Sequence, residues 1–83
     1  MNFQANPITS VKSNPNYSLR DNVLYSKEIV GCNYRLIDLQ GNVIKSSNLS
    51  PTIDFNYLDN GTYILQITKN NSEVFSEKFQ VVR

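Results

Sequence analysis

The clearest indication of the fold in this 83-residue chain is Ile53-Asp54-Phe55-Asn56-Tyr57-Leu58-Asp59-Asn60-Gly61-Thr62-Tyr63-Ile64-Leu65-Gln66-Ile67. Tyr63, Leu65 and Ile67 alternate with the residues between them, which is the period of a β-strand. The Asp-Asn-Gly run before this strand marks a turn. A tyrosine at the start of a strand after such a turn is typical of a tyrosine corner, in which its hydroxyl binds backbone a few residues upstream. The stretch therefore predicts a small all-β, Greek-key β-sandwich.

Alternating apolar residues and turn signals predict further short strands on both sides of this stretch. Together with it they give about seven short antiparallel strands, the spacing expected of a sandwich, and no segment has the pattern of a helix. The predicted strands cover residues 8–11, 17–19, 23–29, 33–39, 42–45, 52–55, 62–68 and 73–82.

Turn residues predict two hairpins and a loop, and one charged residue on an apolar face gives a further prediction for the last strand. Asp38-Leu39-Gln40-Gly41 predicts a type I turn, with Asp first and Gly fourth, and Asn70-Asn71 predicts the tip of a second hairpin. Residues 46–51 are expected to form a loop. On the last strand Glu77 falls on the same side as Phe75 and Phe79, which indicates either a bulge or an edge position.

Composition excludes several classes of function. Eighty-three residues make one domain, and a net charge of +1 gives no electrostatic case for a nucleic-acid or membrane partner. The chain has no histidine and one cysteine, which excludes histidine-dependent nucleophiles and multi-cysteine metal sites. We therefore expect no catalytic, cofactor-binding or metal-binding residues. The first twenty residues lack an apolar core and a cleavage site, so we expect no signal peptide.

The acidic residues and the cysteine have plain structural interpretations. Asp38, Asp54 and Asp59 each occupy a turn position, where the side chain caps backbone amides. Turn capping is therefore favoured over a calcium site or a catalytic carboxylate pair. Cys32 immediately precedes a predicted strand and is interpreted as a small apolar residue, not a reactive thiolate.

Aromatic residues leave a second class of function open. Tyr17, Tyr25, Tyr57 and Phe55 could form a platform for sugars or for single-stranded nucleic acid. The alternative to any signalling role is thus a non-catalytic adhesive or carbohydrate-binding sandwich module, which a glycan array on the isolated domain would reveal.

Four motifs in order give the chain a family resemblance. They are Asn6-Pro7-Ile8, the hairpin Tyr34-Arg35-Leu36-Ile37-Asp38-Leu39-Gln40-Gly41-Asn42-Val43-Ile44, the corner stretch quoted above, and the final Lys78-Phe79-Gln80-Val81-Val82-Arg83. This set resembles a type IX secretion system (Por secretion system) C-terminal sorting domain, type A. The resemblance covers residues 6–83, with residues 1–5 as a lead-in, and is poorest over residues 12–32.

The resemblance implies both a fold and a function. It implies an immunoglobulin-like β-sandwich at the C-terminus of a larger secreted protein of a Bacteroidetes-type bacterium. Such a domain directs its fused cargo from the periplasm across the outer membrane, where the cargo is secreted or held at the cell surface. The implied partners are the type IX translocon and its sortase or shuttle proteins, with neither nucleic acid nor direct membrane insertion. The catalytic residues would belong to the sortase, and this chain would be an excised domain.

Carried over residue by residue, recognition by the translocon falls on the last strand. The candidate contact residues are Lys78, Phe79, Val81 and Arg83, although core packing is an equal alternative for Phe79 and Val81. The residues expected to hold the presenting fold are Asp38, Gly41, Asp54, Asp59, Gly61 and Tyr63.

Overall fold

The computed structural model describes residues 14–82, and within that range the chain is built from β-strands alone. The predicted all-β class is confirmed. The predicted strand at residues 8–11 and the candidate Arg83 lie outside the described residues. No helix in the described range is long and apolar enough to cross a membrane. The strands are β1 (Tyr17–Arg20), β2 (Val23–Ser26), β3 (Cys32–Asp38), β4 (Val43–Asn48), β5 (Thr52–Asp54), β6 (Gly61–Lys69) and β7 (Ser72–Val81).

The seven strands form two antiparallel sheets. One sheet has three strands in the order β1-β2-β5, and the other has four in the order β4-β3-β6-β7. The chain thus changes sheet between β2 and β3, between β4 and β5, and again between β5 and β6. This arrangement is compatible with the expected immunoglobulin-like sandwich.

Alternation along the two central strands of the four-stranded sheet builds the core. Cys32, Tyr34 and Leu36 of β3 are buried, while the residues between them are exposed. On β6 the buried residues are Tyr63, Leu65 and Ile67, as the sequence predicted. Leu24, Leu49, Phe55 and Leu58 join the same cluster from outside this sheet. Each fully buried side chain of this size contributes about 1.5–3 kcal/mol, so the thin core depends on few residues.

Stacked aromatic rings connect the two sheets. The Phe55 ring, which follows β5, lies 5.9 Å from the ring of Tyr34 and 5.7 Å from that of Phe79. The Phe79 ring in turn lies 5.8 Å from the Tyr63 ring. These tilted and edge-on arrangements are the favourable ones for aromatic pairs. The last strand is thereby fixed to the three-stranded sheet and to the corner.

Two-residue hairpins depend on asparagine and aspartate in left-handed backbone. Asp21 and Asn22 join β1 to β2 with φ of 54° and 63°, and Asn70 and Asn71 join β6 to β7 with φ of 52° and 66°. Positive φ at both central residues is the geometry of a type I′ turn, which matches the twist of the flanking strands. The predicted hairpin at Asn70-Asn71 is confirmed.

Two predicted boundaries are wrong. β4 continues to Asn48 instead of ending at residue 45, because Ser46 and Ser47 pair with Arg35 and Tyr34 of β3. Pairing with a long neighbour here overrides the loop preference of serine and asparagine. β2 ends at Ser26 instead of residue 29. A turn closed by the Cys32 amide donating to the Ile29 carbonyl occupies the predicted end of that strand.

Asp38 organises the β3–β4 hairpin as predicted. The Gly41 amide donates to the Asp38 carbonyl at 3.1 Å, and Gly41 takes a positive φ of 91°. The Asp38 carboxylate accepts the amides of Gln40 and Asn42, each at 2.9 Å. These hydrogen bonds, the Asn42 amide first, hold the pKa of the Asp38 carboxyl below its ordinary value.

The tyrosine corner is present. The Tyr63 hydroxyl donates to the main-chain carbonyl of Asp59 at 2.7 Å. Asp54 caps the start of the same loop, because its carboxylate accepts a hydrogen bond from the Asn56 main-chain amide at 2.9 Å. Asp59 contributes its main-chain carbonyl to this corner, and not the side-chain cap expected from its position. The loop that returns the chain to the four-stranded sheet is thus held at both ends.

Replacing Tyr63 with phenylalanine should lower the stability of the domain without changing its fold. The substitution removes the hydrogen bond to Asp59 and keeps the ring on Phe79, so we expect a loss of about 1 kcal/mol. For a domain of this size that lowers Tm by roughly 4–8 °C in a thermal melt. Tyr25→Phe is the matched control, because the Tyr25 side chain is exposed on the outer side of its sheet. Equal melting temperatures for the two variants would contradict the role of the corner.

Candidate recognition surface

The last strand, β7, lies at the edge of the four-stranded sheet. Its antiparallel pairing with β6 runs from Lys69 opposite Ser72 to Gly61 opposite Val81. On the other side of β7 the described residues supply no strand. Edge strands carry backbone donors and acceptors that a further strand can pair with. β7 therefore has the geometry that strand addition requires.

The pairing with β6 decides which β7 side chains point inward. Phe75, Glu77, Phe79 and Val81 lie opposite Ile67, Leu65, Tyr63 and Gly61, and the first three of these β6 residues are core residues. Directly opposed residues of two strands point to the same side of a sheet. The side chains between these four, those of Ser76, Lys78 and Gln80, therefore point outward.

The structure separates the four residues predicted to contact the translocon. Lys78 is exposed on the outer face, opposite Ile64. Phe79 is half-buried between the rings of Phe55 and Tyr63. Val81 has 0% of its surface exposed, as the packing alternative expects. Arg83 lies beyond the described range, so Lys78 is the predicted contact that the described structure places on the surface.

Lys78 ends an apolar row that crosses the outer face, which we call the outer row. Its members are Val43, Ile37, Ile64 and Lys78, directly opposed across β4, β3, β6 and β7. Val43 is half exposed. This row cannot be seen in the sequence pattern of any one strand, because each strand contributes only one of its members. The predicted turn at Asp38 could have aligned Ile37 with Val43, since a hairpin turn sets the register of its strands.

A chain of polar side chains runs beside the outer row. Arg35 donates from Nη2 to Gln66 Oε1 at 2.6 Å, and Gln66 donates from Nε2 to Glu73 Oε1 at 2.9 Å. These hydrogen bonds engage the charges of Arg35 and Glu73 within the sheet. The outer face thus combines a polar, internally bonded half with an apolar row that ends in the Lys78 ammonium group.

Glu77 is the unusual residue of β7. It points inward opposite Leu65, which has 0% of its surface exposed, and lies between Phe75 and Phe79 on the same side. Partial burial raises the pKa of its carboxyl. The register runs without a shift through Glu77, and the irregularity lies between Ile67 and Thr68 instead. Of the two explanations that the sequence offered, the edge position is confirmed and the bulge is wrong.

The rings proposed as a sugar-binding platform do not come together. Tyr17 and Phe55 are core residues with 4% and 0% of their surface exposed. Tyr25 lies on the outer side of β2 with the Arg20 guanidinium over its ring. Tyr57 is exposed in the loop after β5, near the Lys45 ammonium. The four-ring platform is therefore wrong, because the sandwich needs two of the rings in its core.

Cys32 is buried, with 4% of its surface exposed. Its Sγ lies 3.3 Å from the Tyr17 hydroxyl, at the contact between the two sheets. Burial raises the pKa of that tyrosine hydroxyl, and the hydrogen bond to Cys32 adds to the shift. The position matches the interpretation of Cys32 as a small apolar residue.

Comparison with known families identifies the chain. The family model described as the secretion system C-terminal sorting domain matches residues 8–82, nearly the whole sequence. Comparisons with curated proteins and with solved structures gave no match. The matched span includes the Asp38 hairpin, the tyrosine corner and all of β7. The chain therefore belongs to the secretion system C-terminal sorting domains, the sorting signals of type IX secretion.

Proposed function

We propose that this domain directs a larger cargo, fused before its N-terminus, across the outer membrane through the type IX translocon. The cargo would pass through the periplasm first, and sortase or shuttle proteins would then release it or attach it to the cell surface. The family match supports the general role. The observation that carries the mechanism is the position of β7, the last strand, at the edge of its sheet.

In this mechanism the translocon adds a strand to β7 and reads the side chains beside it. Main-chain hydrogen bonds give affinity in this mode, and side chains at alternate positions give selectivity. Lys78 points to the outer face, next to the apolar Ile64 and Ile37 of the outer row. A partner surface that combines an apolar patch with an acidic group complements this region.

Two ends of the sandwich have separate tasks in this proposal. The first described residue, Asn14, donates from its side-chain amide to the Val74 carbonyl at 3.4 Å, near the start of β7. The end of β7 lies at the far side of the sheet, opposite Gly61. The start of the described chain and the recognition end of β7 therefore lie at opposite ends of that strand.

A fusion tests the proposed function directly. Residues 6–83 behind a signal peptide and a reporter should carry the reporter out of a type IX-competent cell, as measured by reporter activity in medium and at the cell surface. A matched fusion in cells without a working type IX translocon should leave the reporter in the periplasm. Periplasmic retention in the competent cells would contradict the proposal.

Charge reversal at Lys78 tests the outer face without disturbing the core. We expect Lys78→Glu to lower export by roughly tenfold, because a repulsive charge at a recognition surface slows association. Lys27→Glu is the control, since Lys27 is an exposed lysine in the connection after β2 and lies outside the four-stranded sheet. Deleting residues 78–83 is a poorer test, because it also removes Phe79 and Val81 from the core. Equal export of the two charge variants would exclude Lys78 from recognition.

A further inference from the structure

We propose that the segment added to β7 carries a lysine or arginine that points inward and pairs with Glu77. This inference rests on the proposed function, because it names the chemistry of the strand that β7 receives there. The partner is thus an extended segment with apolar residues at its inward positions and one basic residue among them.

The position of Glu77 carries the inference. Its side chain lies partly buried on the inner face of the sheet, with the core residue Leu65 directly opposite and Phe75 and Phe79 on either side. A carboxylate there has lost part of its hydration, and burial without a partner is costly for a charge. An inward charge on an edge strand acts against indiscriminate pairing.

Among residues 14–82, the side chains packed around Glu77 supply no ion-pair partner for it. From β6 the inward side chains nearest Glu77 are those of Tyr63, Leu65 and Ile67, none of which is basic. Lys69, opposite the buried Cys32, lies on the same side four residues beyond Leu65 and pairs with Glu28. From β1, Tyr17 lies against Phe75 and Leu19 packs against the core. The Tyr17 hydroxyl is engaged by Cys32 Sγ at 3.3 Å.

Basic side chains elsewhere on these elements are directed away from Glu77. Lys78 points to the outer face of its sheet, and the Arg20 guanidinium lies 4.9 Å from the centre of the Tyr25 ring. The ion pair found within residues 14–82 joins Lys69 to Glu28 at the other end of β6. In this range Glu77 has no ion-pair partner.

A strand added to β7 would supply what is missing. Residues directly opposite in an antiparallel pair have Cβ atoms about 4.5–5.5 Å apart, within reach of a lysine or arginine side chain. Such a pair would neutralise the Glu77 carboxylate as the added strand covers it. An acidic residue in that place would be repelled, and an apolar one would leave a buried, unpaired charge. Selectivity for the added segment then comes from repulsion of acidic segments as well as from attraction of basic ones.

A second copy of this chain is a poor occupant of the same edge. Two β7 strands paired in the register centred on Glu77 would place two carboxylates opposite each other, which is destabilising. The charge therefore favours a basic partner segment over self-association.

Synthetic strands test the pairing on the full 83-residue chain. The probe is the peptide Val-Thr-Val-Thr-Lys-Thr-Val-Thr-Val, compared with versions that carry Glu or Gln at the centre, and binding is followed by NMR shifts of the β7 amides. We expect the lysine peptide to bind about tenfold more tightly than the glutamate peptide, the effect of one charge-assisted contact. Glu77→Gln should abolish this preference.

Glu73→Gln is the matched control for the peptide experiment. It makes the same charge change on the same strand, but Glu73 pairs with Thr68 on the outer face. This variant should keep the preference for lysine. Equal affinity of the lysine and glutamate peptides for the unmodified chain, binding by none of them, or a preference that survives Glu77→Gln would overturn the proposal.

Export distinguishes failure of this inference from failure of the proposed function. In the reporter fusion, Glu77→Gln should reduce export several-fold, and Glu73→Gln should not. If the unmodified fusion stays in the periplasm, the proposed function fails. If the unmodified and Glu77→Gln fusions are exported equally, the function stands and the pairing fails. If the two fusions are exported equally and the Glu77→Gln chain also self-associates, the role of Glu77 is only to prevent pairing of the edge with other copies. That outcome also overturns the proposal.

A stability measurement excludes unfolding as the cause of lost export. Burial raises the pKa of Glu77 in the folded state above its value in the unfolded chain. Below the ordinary pKa of glutamate both states are protonated, and the residue has no effect. As the pH rises through the folded-state pKa, the ionised carboxylate destabilises the fold. At neutral pH the Glu77→Gln chain should thus melt at or above the temperature of the unmodified chain.

Discussion

The structure depends on the packing of Phe79 between the rings of Phe55 and Tyr63. Ring centres at 5.7 and 5.8 Å connect the last strand to the three-stranded sheet on one side and to the tyrosine corner on the other. β7 has a neighbouring strand on one side only within the described sheet, so these contacts hold it where backbone pairing alone would be weak. The same strand can therefore complete the core with one face and present the other face and its backbone to a partner.

A strand at an edge faces two opposite requirements. It must pack firmly enough to be part of the fold, and it must also resist pairing with unrelated chains. In β7 the inward side chains Phe75, Phe79 and Val81 meet the first requirement. Glu77, between two of them, meets the second. A half-buried charge lowers the stability of the free domain, whereas the apolar core residues raise it. The presence of Glu77 is therefore explained by the edge position of β7 and not by core packing.

The local features of this fold were predictable from the sequence. The Asp38 turn, the Asn70-Asn71 hairpin and the corner of Tyr63 each depend on residues less than five positions apart. Turn chemistry and strand alternation therefore sufficed to place them. Whether Val81 is buried could not be predicted for a different reason. Alternation alone does not say which face of an edge strand packs against the core.

Features set by register between distant strands were not predictable from one sequence. The extension of β4 to Asn48 follows from pairing with β3, and the outer row exists only when four strands are aligned. The setting of Glu77 likewise depends on Leu65 opposite it on β6. Such alignments are fixed by tertiary packing, which cannot be inferred from the sequence pattern of a single strand.

Photo-crosslinking from the edge of the sheet tests the central claim most directly. A benzophenone side chain in place of Gln80, an exposed residue of β7, is compared with one in place of Ser46, an exposed residue of the opposite edge strand. In a type IX-competent cell exporting the reporter fusion, we expect crosslinks to outer-membrane translocon proteins from position 80 and none from position 46. Crosslinks from position 46 alone would contradict recognition through β7.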